Sequence, residues 1–115
     1  MVGTMPVSFL NAPSMKIPKI LRINGLKFRV TRDKNVAREG NCYGAIHHYT
    51  QNIFIDPDAK EDRQEQAFLH EIIHAVFETS GLHVRYQKQP ELEEELTTTL
   101  ASGLYQVLKE NNLLK

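Results

Sequence analysis

The stretch FLHEIIHAVFETSG, residues 68–81, decides the fold because the hydrophobic period becomes helical there. Its apolar residues at i, i+3, i+4 and i+7 are Leu69, Ile72, Ile73 and Val76. This spacing predicts a helix that begins near Lys60 and turns one apolar stripe into the domain. Gly81 is well placed to end the helix, because glycine readily adopts the left-handed conformation that follows many helix C-termini.

The same helix carries the pattern H-E-x-x-H in His70, Glu71 and His74. At about 100° per residue, the histidines lie about 40° apart, so both imidazoles can reach one metal ion. Glu71 is turned about 100° from His70, close to the ligands but away from direct coordination. The apolar stripe centres roughly 120–160° from the histidine pair. The helix can therefore pack into the domain while its H-E-x-x-H side faces a cleft.

These residue types fit a catalytic zinc centre. Neutral imidazole binds Zn²⁺ at about 2.0–2.1 Å, and a catalytic site keeps three protein ligands and one water, whose pKa falls toward about 7. A free carboxylate beside that water can take its proton and deliver it to a leaving amine. The sequence therefore predicts one Zn²⁺ per chain, with Glu71 as the general base.

The third ligand has to come from outside the motif. Phe77 and Ser80 stand where metzincins continue with glycine and histidine, so that class is excluded. His83 is one candidate, and a glutamate cluster about 20 residues after the motif is a better one. Its members are Glu91, Glu93, Glu94 and Glu95. They follow Pro90 at the start of a second predicted helix, where most of them serve only to stabilise its positive end.

Leucines mark the predicted core stripe of this second helix: Leu92, Leu96, Leu100, Leu104 and Leu108. Glu93 projects close to the centre of that stripe, where an unpaired carboxylate would be costly, and is therefore the second choice of ligand.

The chain before the first helix is predicted to form two β-hairpins. KILRINGLKFRV (19–30) surrounds Asn24-Gly25, the strongest short hairpin signal. CYGAIHHYTQNIFIDP (42–57) ends in an alternating strand, residues 51–56. Strands followed by two helices predict an α+β domain with a small antiparallel sheet.

The composition is typical of one soluble globular domain, with 115 residues, 41% hydrophobic and 24% charged. Lys+Arg and Asp+Glu both number 14, so the zero net charge predicts neither nucleic acid nor an anionic membrane as partner. Residues 1–17 are predicted to be a flexible arm before a domain of residues 18–115. The single cysteine, Cys42, favours a reducing cytoplasm and is interpreted as a small buried apolar residue.

Three stretches resemble small phage- or prophage-type metallopeptidases of the ImmA/IrrE-like gluzincin group, also called minigluzincins. They are IFIDP (53–57), LHEIIHAVFE (69–78) and EELTTTLASGLYQVLKENN (94–112). The resemblance, over about residues 19–115, implies a zinc-dependent endopeptidase of zincin-like fold. In gluzincins a glutamate of the second helix is a ligand, with a large apolar residue at +6 and a small one at +7. Glu94 fits this pattern, because Leu100 and Ala101 follow it at those positions.

One position departs from the pattern. Thermolysin-like enzymes have an aspartate four residues after the ligand glutamate, and here Thr98 stands there, which implies weaker support for a ligating histidine.

The resemblance further implies that a peptide or protein substrate pairs with the strand at 51–56, taken as the edge strand along the cleft. It also suggests that a downstream residue stabilises the oxyanion, with His83, Arg85 and Tyr86 as candidates. Their simpler interpretation is as exposed polar residues of a loop. His47 and His48, near the second hairpin turn, are predicted to be solvated.

Two other classes of function stay open. One is a catalytically silent, zinc-stabilised protein-binding module of phage or prophage origin, which would use the cleft and the edge strand to hold a partner. A weaker alternative is a metal-free helical interaction domain. The presence of Glu71 favours the enzyme, because a purely structural zinc site does not need that carboxylate.

Overall fold

The computed structural model describes residues 15–36 and 42–114. Within these residues a four-stranded sheet is followed by two long helices, which is the predicted α+β architecture. The strands are β1 (Ile20–Ile23), β2 (Leu26–Arg32), β3 (Gly44–His47) and β4 (Asn52–Ile55). The helices are α1 (Glu61–Thr79) and α2 (Pro90–Glu110), joined through a 3-10 segment, Leu82–Tyr86.

Both predicted hairpins form, since β1 pairs with β2 and β3 with β4, each antiparallel. Asn24 and Gly25, with φ of 49° and 83°, make the first tight turn. The hairpins join through a parallel pair, β2 with β4, in the strand order β1-β2-β4-β3. The sheet is therefore mixed, and the prediction of an antiparallel sheet is wrong.

The prediction that residues 51–56 form the edge strand is also wrong. Strand β4 lies inside the sheet, between β2 and β3. Ile53 and Ile55 are 0% exposed, and strands on both sides provide partners for the backbone of this most buried strand. On this side of the sheet the edge strand is β3.

Helix α1 lies between the sheet and α2. On the sheet side, one cluster buries Ile23, Phe28, Val30, Ile53, Ile55, Phe68 and Ala75. On the other side, Leu69 packs with Ala101 and Tyr105 of α2. The stripe predicted for α1 is thus divided between two cores, and Val76, 42% exposed, belongs to neither.

The prediction that the leucine stripe is the core face of α2 is wrong for Leu92, Leu100 and Leu104, which are exposed, whereas Leu108 packs against the cluster of Leu69, Ala101 and Tyr105. Leu100 is 52% and Leu104 45% exposed. The buried residues of α2 are instead Thr97, Ala101, Tyr105 and Lys109. Polar contacts set this rotation, because the hydroxyl of Tyr105 donates to the carboxylate of the buried Glu65 at 2.7 Å and Lys109 Nζ lies 3.4 Å from the same oxygen. Turning the leucines inward would remove the two partners that α2 provides to that carboxylate.

The described chain begins at Met15, beside the same glutamate. Its backbone N–H donates to Glu65 at 2.8 Å, and its side chain packs against both hydrophobic clusters. Ile17 packs against the sheet-side cluster. Residues 1–14 of the predicted arm lie outside the described residues. Across 15–36 and 42–114, no helix has the length and apolar character needed to cross a membrane.

Candidate metal centre

One face of α1 forms the floor of a cleft of about 420 Å³. The α1 residues that line it are Arg63, Gln66, Ala67, His70, Glu71 and His74. The opposite wall is formed by residues 42–45, which lead into β3 and begin it, and Glu94 reaches in from α2. The H-E-x-x-H side of α1 therefore faces a cleft, while its other sides pack against the sheet and α2.

The structure brings His70, His74 and Glu94 together. Nε2 of His70 lies 3.2 Å from Nε2 of His74. One carboxylate oxygen of Glu94 is 2.9 Å from the first of these nitrogens, and its other oxygen is 2.8 Å from the second. Two atoms each about 2.0–2.1 Å from a tetrahedral zinc lie about 3.3 Å apart, so the imidazole spacing fits a single zinc ion. The three side chains form a geometrically suitable metal site.

The rotation of α2 explains why Glu94 points at the histidines. Ala101 and Tyr105 follow Glu94 by seven and eleven residues, and each spacing is within about 20° of whole helical turns. The turn of α2 that packs these two residues against α1 therefore also aims Glu94 toward the same helix. Leu100 is turned about 120° away, which leaves it on the exposed side.

Glu93 lies behind one of the candidate ligands. A carboxylate oxygen of Glu93 is 3.6 Å from Nδ1 of His74, an ion-pair distance rather than a hydrogen-bond distance. A carboxylate on the far side of a ligating imidazole orients the ring and favours a proton on that nitrogen. Glu93, the second choice as a ligand, thus lies where such a supporting carboxylate would be, whereas Thr98 is exposed on α2.

Glu71 is 6% exposed and lines the cleft next to the histidines. Burial, and then the negative charge of Glu94, raise the pKa of the Glu71 carboxyl to about 8. A cation bound by the neighbouring imidazoles would lower that pKa, because a positive charge favours the ionised carboxylate. Burial is also the main reason that the pKa of His70 is lowered, which favours the neutral imidazole that a metal needs.

Gly44 allows β3 to approach α1 closely at this point. A Cβ on Gly44 would lie 3.1 Å from the Cβ of Ala67 and 3.4 Å from a carboxylate oxygen of Glu71. Sequence reasoning missed this residue. The signal that could have identified Gly44 is its position within a predicted strand, because a glycine there often marks a close approach of another segment.

The other candidates from the sequence lie outside the metal centre. Nε2 of His83 is 3.5 Å from the carboxylate of Glu78, and the ring of Tyr86 packs edge-on against Phe77. Arg85 is exposed. None of the three oxyanion candidates lines the cleft, so the described residues give no support to that assignment.

Two residues of the β3 hairpin differ from their predicted environments. Cys42 is exposed rather than buried, because it precedes the first paired residue of β3, and its thiol donates to the carbonyl of Gly44 at 3.0 Å. His48 is partly buried rather than solvated, and this burial lowers its pKa. His47 is exposed, as predicted.

No family model, curated protein or solved structure matches the chain. The class of site is therefore defined by the residues themselves: an α+β domain in which two helices bring two imidazoles and a carboxylate to one point beside a cleft.

Proposed function

We propose that this protein is a zinc-dependent endopeptidase of the gluzincin type, similar to the ImmA/IrrE-like phage metallopeptidases. The observation that carries the proposal is the convergence of His70, His74 and Glu94 at zinc-ligand spacing beside an open cleft. Three protein ligands leave one tetrahedral position for water, as catalytic zinc sites require. A structural zinc site is instead closed by four protein ligands.

Zinc, when bound, would lower the pKa of its water toward about 7 and polarise the carbonyl of the scissile peptide. Glu71 would accept the proton of the attacking water and return it to the nitrogen of the leaving amine. Its position beside the candidate ligands supports this role, because a bound cation would lower the raised pKa of the Glu71 carboxyl and so provide the ionised carboxylate that accepts a proton. Glu93 would hold His74 in the orientation needed for coordination.

A peptide substrate would extend along β3 rather than along β4. Among the described residues β3 has a neighbouring strand on one side only, so its free edge can accept an added strand. Gly44, the first residue of β3, and Tyr43, which precedes it, line the cleft opposite the H-E-x-x-H face. Substrate and candidate metal ligands therefore share one cleft.

The test is Glu71→Gln, with Glu95→Gln on the exposed surface of α2 as the matched control. The amide keeps the size of the side chain but removes the base, so zinc content and fold should be retained while peptide hydrolysis falls by about 10²–10⁴-fold. Zinc content is measured by elemental analysis and hydrolysis on a broad peptide library. If the wild-type protein is loaded with zinc and cuts no peptide, the proposed peptidase function is contradicted.

A zinc-stabilised protein-binding module is the second candidate, favoured by the apolar side chains that α2 leaves exposed. Leu100, Leu104 and Val107 are 52%, 45% and 50% exposed on this helix. A protein partner would cover such side chains. In that case Leu104→Lys should abolish capture of the partner, whereas Glu71→Gln should leave it unchanged; the reverse pattern favours the peptidase.

A further inference from the structure

The cleft carries one fixed positive charge away from the candidate metal ligands. Among the described residues that line it, Arg63 is the only lysine or arginine, and the acids there are Glu71 and Glu94, both next to the histidines. Arg63 is exposed and makes no ion pair with a carboxylate among those residues. Its guanidinium is therefore available to a ligand.

Tyr43 holds this guanidinium at the wall of the cleft. The guanidinium carbon of Arg63 lies 5.7 Å from the centre of the Tyr43 ring, within the range of a cation–π contact. A guanidinium packed on a ring still presents its N–H groups at its edge, and that planar set of donors matches a carboxylate. The Arg63 side chain, which projects from α1, is thus oriented by the residue that precedes β3.

The spacing along α1 gives the position of a bound carboxylate relative to the metal centre. Arg63 precedes His70 by seven residues, within about 20° of two whole turns and about 10 Å along the helix axis. Gln66 and Ala67 line the floor between them. An extended peptide advances about 3.3 Å per residue, so about three residues span this distance.

We propose that Arg63 selects substrates that carry a carboxylate, either an acidic side chain or a free C-terminus, about three residues from the scissile bond. This inference rests on the proposed use of the cleft for peptides. Arg63 is a specificity-determining residue in this account and takes no part in bond cleavage.

The experiment measures binding separately from hydrolysis. Zinc-loaded Glu71→Gln protein is exposed to two libraries of random peptides, one with free C-termini and one with amidated C-termini, and the retained peptides are sequenced. Enrichment of Asp and Glu in both libraries identifies recognition of an acidic side chain. Retention of peptides from the free-C-terminus library alone identifies recognition of the terminal carboxylate. Adding Arg63→Gln should remove the enrichment, and adding Arg85→Gln, an exposed arginine outside the cleft, should not.

For one retained sequence, replacing its carboxylate by an amide should weaken binding about tenfold, because one charge-assisted contact is lost. The preference should decrease with added salt. Arg63→Glu should favour lysine at the same peptide position.

Retained peptides that show neither an acidic preference nor a requirement for a free C-terminus would overturn the proposal. A preference unchanged by Arg63→Gln, or a cleft that retains no peptide, would also overturn it. Acidic peptides that bind through Arg63 but are not cut by wild-type protein would support it while contradicting the peptidase.

Discussion

The adjacent glutamates Glu93 and Glu94 on α2 contact different histidine nitrogens. This difference makes Glu94 the candidate metal ligand and Glu93 a candidate partner of the His74 ring. Glu94 approaches both imidazoles through their Nε2 atoms, whereas Glu93 approaches only Nδ1 of His74. Because a zinc ion bound at Nε2 leaves Nδ1 free, both contacts can exist together. A change of one residue along the helix therefore changes which imidazole nitrogens a carboxylate can reach.

Alanine substitutions in this glutamate series should weaken zinc binding in a fixed order. Glu94→Ala removes one of three protein ligands and should have the largest effect. Glu93→Ala should lower affinity by about 10–100-fold, as expected for an outer hydrogen-bonding or ionic partner of a ligand. Glu95→Ala, at an exposed position, should have almost none.

The measurement is zinc affinity by competition with a chromophoric chelator. Equal affinities for the three variants would contradict the assignment, and a collapse in Glu93→Ala alone would make Glu93 the ligand.

At the residue level, the sequence was sufficient to predict the relative positions of side chains that lie on the same helix. His70, Glu71 and His74 are placed by helical periodicity alone, so their shared face could be predicted. Glu94 needed the resemblance to a family pattern, because the rotation of α2 depends on its contacts with α1. Gly44 and Arg63 were missed, since their surroundings arise only when β3 lies against α1.

At the scale of elements, features set by local sequence signals were predicted correctly, whereas the pairing of strands distant in the sequence was not. The Asn24-Gly25 turn, Pro90 at the start of α2 and Gly81 after α1 act within a few residues, and each was predicted correctly. The parallel pair of β2 with β4 joins distant segments and has no local sequence signal. The buried side of α2 was mispredicted because apolar periodicity does not register the buried partners of Glu65.

Neighbouring positions on α2 test its corrected rotation. Leu100 is 52% exposed and Ala101 is 4% exposed. Leu100→Ser should change the free energy of unfolding by about 0.5 kcal/mol or less, because it removes no core contact. Ala101→Leu should cost about 1–3 kcal/mol by overpacking the contact between the helices. Denaturant unfolding at fixed zinc concentration measures both changes. A larger loss of stability in Leu100→Ser than in Ala101→Leu would show that the leucine stripe is the buried face after all.

At the scale of the whole molecule, the candidate metal centre lies between two helices that already pack through Leu69, Ala101 and Tyr105. Two candidate ligands lie on α1, which also packs on the sheet, and the third candidate lies on α2. An ion bound there would hold α2 to the rest of the domain. Zinc that binds only the folded protein should stabilise it by about 2.7 kcal/mol at a free concentration 100 times Kd.

Thermal unfolding with and without zinc tests this linkage. The wild-type Tm should rise with zinc concentration, and His74→Ala should remove the rise while His47→Ala, at an exposed histidine outside the cleft, retains it. An equal rise in both variants would show that zinc stabilises the protein from some other site.

The most direct test of the central claim is an anomalous-scattering map, recorded at the zinc absorption edge from crystals of protein purified without added metal and then soaked in zinc. We expect one peak per chain, about 2.0–2.1 Å from Nε2 of His70 and of His74 and in contact with the Glu94 carboxylate. A crystal without a peak between these side chains, or with its zinc bound elsewhere, would contradict that claim.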